Sequence, residues 1–157
     1  MRSLSTSAIV VALGLAPACA SSEPEPGMID WREEPHHLSV LLASTMEPDE
    51  SGGTVGVDYE YRTSQFLGLG AVVEHAFEQI DATTVLAVAD LHLTHHVILQ
   101  TGPGIEFVDG ENEFVYRLGA LYEFELGDGY TLSPQLHHDW TTGEDAYVAG
   151  VALGVGF

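Results

Sequence analysis

The chain has 157 residues and carries 24 Asp plus Glu against 4 Lys plus Arg, a formal net charge of −20 at pH 7. That balance makes nucleic acid and anionic membrane surfaces poor partners and leaves divalent cations or a salt-rich medium as natural company. No stretch approaches the ~18 uninterrupted apolar residues of a membrane-spanning helix, and the single cysteine, Cys19, excludes an internal disulfide.

In chain order, residues 1–20 read as a secretory signal peptide: Arg2, an apolar stretch over 8–16, then small residues. Ala18-Cys19-Ala20 fits an A-x-A cleavage site, which predicts cleavage after Ala20. Cys19 also admits a second reading, lipidation, although Leu15 stands four residues before it rather than the three usual in a lipoprotein box. Residues 21–35 form an acidic, Pro/Glu-rich leader with no apolar periodicity. Eight alternating segments follow over 36–157, at about 37–46, 54–62, 66–78, 83–94, 97–108, 113–126, 130–140 and 146–157. Breaks such as E-P-D-E-S-G-G, D-G-E-N, G-D-G and T-G-E-D carry the residues that turns require.

The segments run roughly 10–13 residues, longer than soluble strands and matched to a tilted membrane-spanning strand of about 9–11. Each has two faces. Phe114, Tyr116, Leu118, Ala120, Tyr122 and Phe124 lie on one face of the sixth segment; Arg117, Gly119, Glu123 and Glu125 lie on the other. The polar faces are rich in glycine, which weakens a water-facing strand but suits a cramped eight-strand lumen. Aromatic residues cluster at both ends of the apolar faces. Phe77, Phe107, Phe114, Tyr116, Trp140 and Tyr147 mark one end; Tyr59, Tyr61, Tyr122, Phe124, Tyr130 and Phe157 mark the other. Two aromatic belts around an aliphatic band are what a bilayer selects, so the apolar face points outward. The expected fold is all-β: a closed eight-stranded antiparallel up-and-down transmembrane β-barrel.

The last segment, Y-V-A-G-V-A-L-G-V-G-F, places Tyr147, Val151, Leu153, Val155 and Phe157 on its bulky face. It resembles the C-terminal assembly signal of bacterial outer-membrane barrels. With the strand count and alternation, residues 36–157 resemble the small eight-stranded outer-membrane proteins of the OmpA/OmpX type. The resemblance implies a Gram-negative outer membrane, both termini in the periplasm, and insertion by the barrel-assembly machinery. The chain departs from the OmpA type in lacking a peptidoglycan-binding domain and from OmpX in its short outer loops.

Arg117 is the only basic residue expected deep in the lumen, with Glu74, Asp58, Glu60, Glu123 and Asp90 around it. A buried Arg among carboxylates reads first as a structural pin and second as an ion gate. The outer loops carry Glu47, Asp49, Glu50, Asp81, Asp109, Glu111, Glu113, Glu144 and Asp145. They read as a solvated rim, or as a site where divalent cations bridge to lipopolysaccharide phosphates. His36, His37, His95 and His96 fall near the periplasmic rim without metal-ligand spacing, so no metal or cofactor is expected.

Two patterns bear on catalysis. His37-Leu38-Ser39 matches the His-x-Ser of lipid A deacylases but lies at the wrong leaflet. His137 and Asp139 echo the pair of omptin-type proteases, which need a larger barrel. The expected function is a non-enzymatic, monomeric outer-membrane barrel with a structural or surface role. The alternatives are a barrel-type hydrolase and a periplasmic, lipid-anchored, lipocalin-like binding protein.

Overall fold

Period-two alternation over eight long segments gives strands that each need two neighbours, and the chain supplies them by closing on itself. The computed structural model describes residues 34–108 and 110–157. The signal segment, Cys19, most of the leader and Asp109 lie outside the described residues. The strands are β1 (His36–Met46), β2 (Ser51–Arg62), β3 (Leu67–Ala76), β4 (Ala82–His92), β5 (Val97–Val108), β6 (Glu111–Tyr122), β7 (Phe124–Gly127), β8 (Tyr130–Thr141) and β9 (Ala146–Gly156). β6 and β7 are two parts of one stave. Both pair with β8, and the register runs through from Leu121↔Gln135 to Phe124↔Leu132. Between them the Glu123 N–H donates to the His96 carbonyl at 2.7 Å. The barrel therefore has eight staves, as the alternation predicts.

All neighbouring strands pair antiparallel, and β1 closes the barrel against β9 from His37↔Gly156 to Met46↔Tyr147. Closure satisfies the backbone groups that a free sheet edge would expose. The start of β1 meets the last residue of the chain, with His36 and Phe157 exchanging backbone hydrogen bonds at 3.1 and 2.9 Å. At this terminal end the turns are built locally. Ser64 Oγ accepts from the Phe66 and Leu67 N–H groups, and Thr94 Oγ1 accepts from those of His96 and Val97. The β7–β8 turn takes positive φ at Gly127, Asp128 and Gly129 (94°, 53° and 76°), which explains the G-D-G sequence.

Every described Phe, Tyr and Trp lies exposed on the outside of the barrel. So do Val40, Leu42, Leu69, Leu118, Leu136 and Leu153. A soluble barrel would bury these rings in its core. The buried side chains are instead polar: Arg117 and Thr131 at 0% exposure, Gln100 and His137 at 1%. The lumen is more apolar than the alternation predicts, however. Val72, Leu86, Val88 and Val115 form one inward cluster, and Leu41, Val148 and Ala152 another. Ile80, in the β3–β4 loop, packs against Ala76 and Ala82 at the loop end. A lumen this narrow fills like any protein interior, so apolar side chains serve there as well as polar ones.

The lumen glycines seat long side chains from neighbouring strands. A Cβ on Gly56 would lie 2.7 Å from Glu74 Cγ. One on Gly68 would enter the Glu60 carboxylate, and one on Gly119 the His137 ring. The two faces thus predict different failures. Leu118→Arg, on the exposed face, is expected to cost about 2–4 kcal/mol in folding into lipid vesicles, as a charge facing mid-bilayer does. Gly119→Arg is expected to fail by crowding His137, with the loss also present in detergent. Denaturant titration in both media separates the two outcomes.

Candidate functional site

The polar lumen is the concentration of chemistry in this chain, and it is arranged along the strands in three tiers. Nearest the loop end, Arg117 on β6 sits between Glu74 on β3 and Asp139 on β8. Its Nη1 and Nη2 donate to Glu74 Oε1 and Oε2 at 2.6 and 2.7 Å. Its Nε and Nη2 donate to Asp139 Oδ1 and Oδ2 at 2.8 and 2.6 Å. Both carboxylates are thus engaged as two-pronged pairs, the geometry for which a planar guanidinium is suited. The Glu74 contact crosses the lumen, whereas Asp139 is the direct register partner of Arg117. Beside them, Thr84 donates to Glu106 at 2.7 Å, and His137 Nε2 pairs with Gln135 Oε1 at 3.1 Å.

The middle tier contains Asp58, Asp90 and Gln100. Gln100 Nε2 donates to Asp58 Oδ2 at 2.9 Å. One oxygen of each aspartate, Oδ1 in both, is buried with no hydrogen-bond partner. The terminal tier is built around a second, half-buried Arg. Arg62 reaches Glu60 at 3.5 Å and Glu123 at 3.4 Å, and His92 Nε2 lies 2.7 Å from Glu60 Oε1. His37 Nε2 pairs with Thr131 Oγ1 at 2.9 Å and lies 4.0 Å from Glu123.

The grouping differs from the sequence expectation. Of the five carboxylates expected around Arg117, the structure brings only Glu74 to it. Glu60 and Glu123 belong to Arg62, and Asp58 and Asp90 contact neither guanidinium by hydrogen bond. Arg117 is therefore not the sole lumen cation, because Arg62 turns its side chain inward at the terminal end with 13% exposure. Asp139 was missed as a partner. A signal for it existed: Arg117 and Asp139 are equally distant from Asp128, the centre of the hairpin turn, and so must face each other.

The catalytic patterns do not assemble as pairs. His37 bonds Thr131 rather than Ser39, and Asp139 is committed to Arg117 while His137 bonds Gln135. Among the described residues, no three His, Cys, Asp or Glu side chains converge at metal-ligand spacing. Of the assembly-signal residues, Tyr147, Val151, Leu153 and Phe157 are exposed on the outer face, and Val155 is half-buried.

At the loop end the rim is acidic. Burial, together with Glu106, Glu144, Glu50 and Glu113, raises the Glu47 carboxyl above its ordinary range. The loops at this end carry no Lys or Arg among the described residues.

Two predictions follow from this geometry. Arg117→Met leaves Glu74 and Asp139 buried without their cation and is expected to cost about 3–5 kcal/mol, read by urea unfolding of the refolded barrel. For Glu47, the sign follows from its raised value: the folded state favours the protonated form, so the stability that protonation gives is lost as pH rises through the folded midpoint. Its titration, followed by NMR, should centre above an ordinary Glu and fall towards it when Mg²⁺ or salt screens the rim. An unchanged midpoint would show that its neighbours do not act on it.

Comparisons place this geometry among known folds. No protein-family model matches the chain, and no curated protein matches it. Solved structures do. The N-terminal β-barrel domain of Pseudomonas aeruginosa OprF superposes with a TM-score of 0.64 at 10% identity, covering 77% of this chain and 97% of that one. The Yersinia pestis outer membrane protein Ail gives a TM-score of 0.58 at 11% identity, covering 79% and 99%. Neisserial surface protein A gives 0.54 at 10% identity, covering 78% and 96%. At such identities the likeness speaks for the architecture, and the chain has the fold of small eight-stranded outer-membrane β-barrels.

Proposed function

We propose that this chain is a non-enzymatic integral protein of a Gram-negative outer membrane, with a sealed lumen and a structural or surface role. The observation that carries the reading is the inversion of the barrel. All described aromatic side chains face outward while Arg117 and its two carboxylates fill the inside. Such an exterior is stable only against hydrocarbon, and such an interior leaves no wide aqueous path. The inward clusters around Val115 and Leu41 add to the seal. The fold shared with OprF, Ail and neisserial surface protein A supports the same location.

In this reading the segment 1–20 directs export and is removed after Ala20, and the barrel-assembly machinery inserts the domain. The partners are outer-membrane lipid and lipopolysaccharide. A rim bearing Glu47, Glu50, Glu113 and Glu144, with no permanent cation beside them, meets lipid phosphates through bridging divalent cations.

The test combines location and conductance. The chain, expressed in a Gram-negative host, should fractionate with the outer membrane. It should migrate differently on SDS gels before and after boiling. In planar bilayers the purified barrel should show no steady pore of porin size. Recovery in the periplasmic soluble fraction would overturn the membrane reading. A steady, wide conductance would overturn the sealed lumen.

A further inference from the structure

The middle tier of the lumen contains an arrangement that a structural plug does not require. A cavity of about 20 Å³ is lined by Asp58, Asp90, Gln100 and two serines, and on the side of the terminal tier by Glu60, Glu123 and His37. That is room for one water-sized species. Asp90 is 3% exposed, and Oδ1 of Asp90 and Oδ1 of Asp58 have no hydrogen-bond partner. A buried carboxylate oxygen without a donor carries a full desolvation cost, and two side by side also repel. The available cations are spent elsewhere. Arg117 is saturated by Glu74 and Asp139. Arg62 turns to Glu60 and Glu123. The Gln100 amide donates to the other oxygen of Asp58 and also serves the Asp90 carboxyl, which still leaves Oδ1 of both unpaired.

We propose that this cavity is a binding site for one oxygen-ligated divalent cation of the size of Ca²⁺, held by Asp58 and Asp90. Two carboxylates balance its charge. Neutral oxygens from the serine and glutamine side chains in the lining complete an all-oxygen shell, which is the donor type Ca²⁺ takes. No His or Cys is required. On the terminal side, Glu60 and Glu123 of the lining are held by Arg62 at 3.5 and 3.4 Å, so their charge is met before an ion arrives. The site joins β2 to β4 and β5, so an ion there ties together strands that the Arg117 clamp does not reach.

The experiment uses the full barrel refolded in detergent, stripped with chelator, then equilibrated with radioactive Ca²⁺. Rim carboxylates also attract Ca²⁺, so a variant combining Glu47→Gln, Glu50→Gln, Glu113→Gln and Glu144→Gln provides the background. This rim variant should retain one Ca²⁺ per barrel and should unfold at higher urea in Ca²⁺ than in Mg²⁺. Adding Asp58→Asn and Asp90→Asn should abolish both the retained ion and the Ca²⁺ effect, with the folded fraction checked by heat modifiability. If that chain does not fold, the Ca²⁺-dependent unfolding midpoint of the rim variant alone decides. No retained Ca²⁺ and no shift in that midpoint would overturn the proposal. So would an Asp58→Asn, Asp90→Asn barrel that keeps the ion. A barrel that is stabilised by these two changes at every Ca²⁺ concentration would show that the aspartates share a proton instead.

Discussion

A barrel that turns its rings outward has to solvate the polar side chains inside it with one another, and in this chain the task centres on one guanidinium. Arg117 is fully buried, and its four hydrogen bonds of 2.6 to 2.8 Å reach two carboxylates. Taking three charges out of water carries a large penalty, which only near-ideal geometry and complete pairing offset. That condition propagates outward. Asp139 must stay in register with Arg117 across β6 and β8, and Glu74 must reach across the lumen from β3. A slip of one residue in any of these strands would turn a charge into the lipid and an aromatic ring into the lumen.

The remaining interior follows from the space that this clamp leaves. Gly56 lies under Glu74 and Gly119 under His137, because a Cβ at either place would collide with the side chain above it. Val72, Leu86, Val88 and Val115 fill volume next to the clamp where no further hydrogen bond is needed. The terminal tier is looser. Arg62 contacts its carboxylates at 3.4 to 3.5 Å, and its Nε is among the buried atoms without a hydrogen-bond partner. The two arginines thus differ, one fully paired with its two carboxylates and the other loosely held by its own. Outside, rings gather towards both ends of the barrel, with His36 stacked on Phe157 at 5.4 Å and His138 against Trp140 at 4.3 Å.

Much of this architecture was legible in the sequence, because a strand's two faces are written at period two. Alternation located eight staves and the aromatic positions assigned the outward face. The sixth stave bears this out. Its alternation passes through Glu123 without a break, and so does the register: Glu123 donates to His96, the next pair after Val97↔Tyr122. The inward apolar residues were harder. In A-V-V-E and T-V-L-A-V-A an apolar residue stands on both faces, and only packing decides that Val72 and Leu86 serve the lumen. The partners of Arg117 were half legible. Asp139 follows from counting back through the G-D-G turn, whereas Glu74 depends on how far a side chain reaches across the barrel. Glu60 and Glu123 cannot be told from partners of Arg117 by sequence, because inward-facing carboxylates look alike until tilt and depth separate them.

The central claim is that the aromatic face of this barrel meets lipid. Trp140, at 41% exposure, is the sole described tryptophan, and it sits in the belt at the loop end. With Trp31 replaced by phenylalanine, its fluorescence reports one position. Vesicles containing lipids brominated at different depths measure that position directly. The account predicts strong quenching by bromines high on the acyl chain and weaker quenching by bromines near the bilayer centre. Fluorescence indifferent to bromine at every depth, but quenched by aqueous acrylamide, would mean that the ring faces water, and the assignment of the two faces would be wrong.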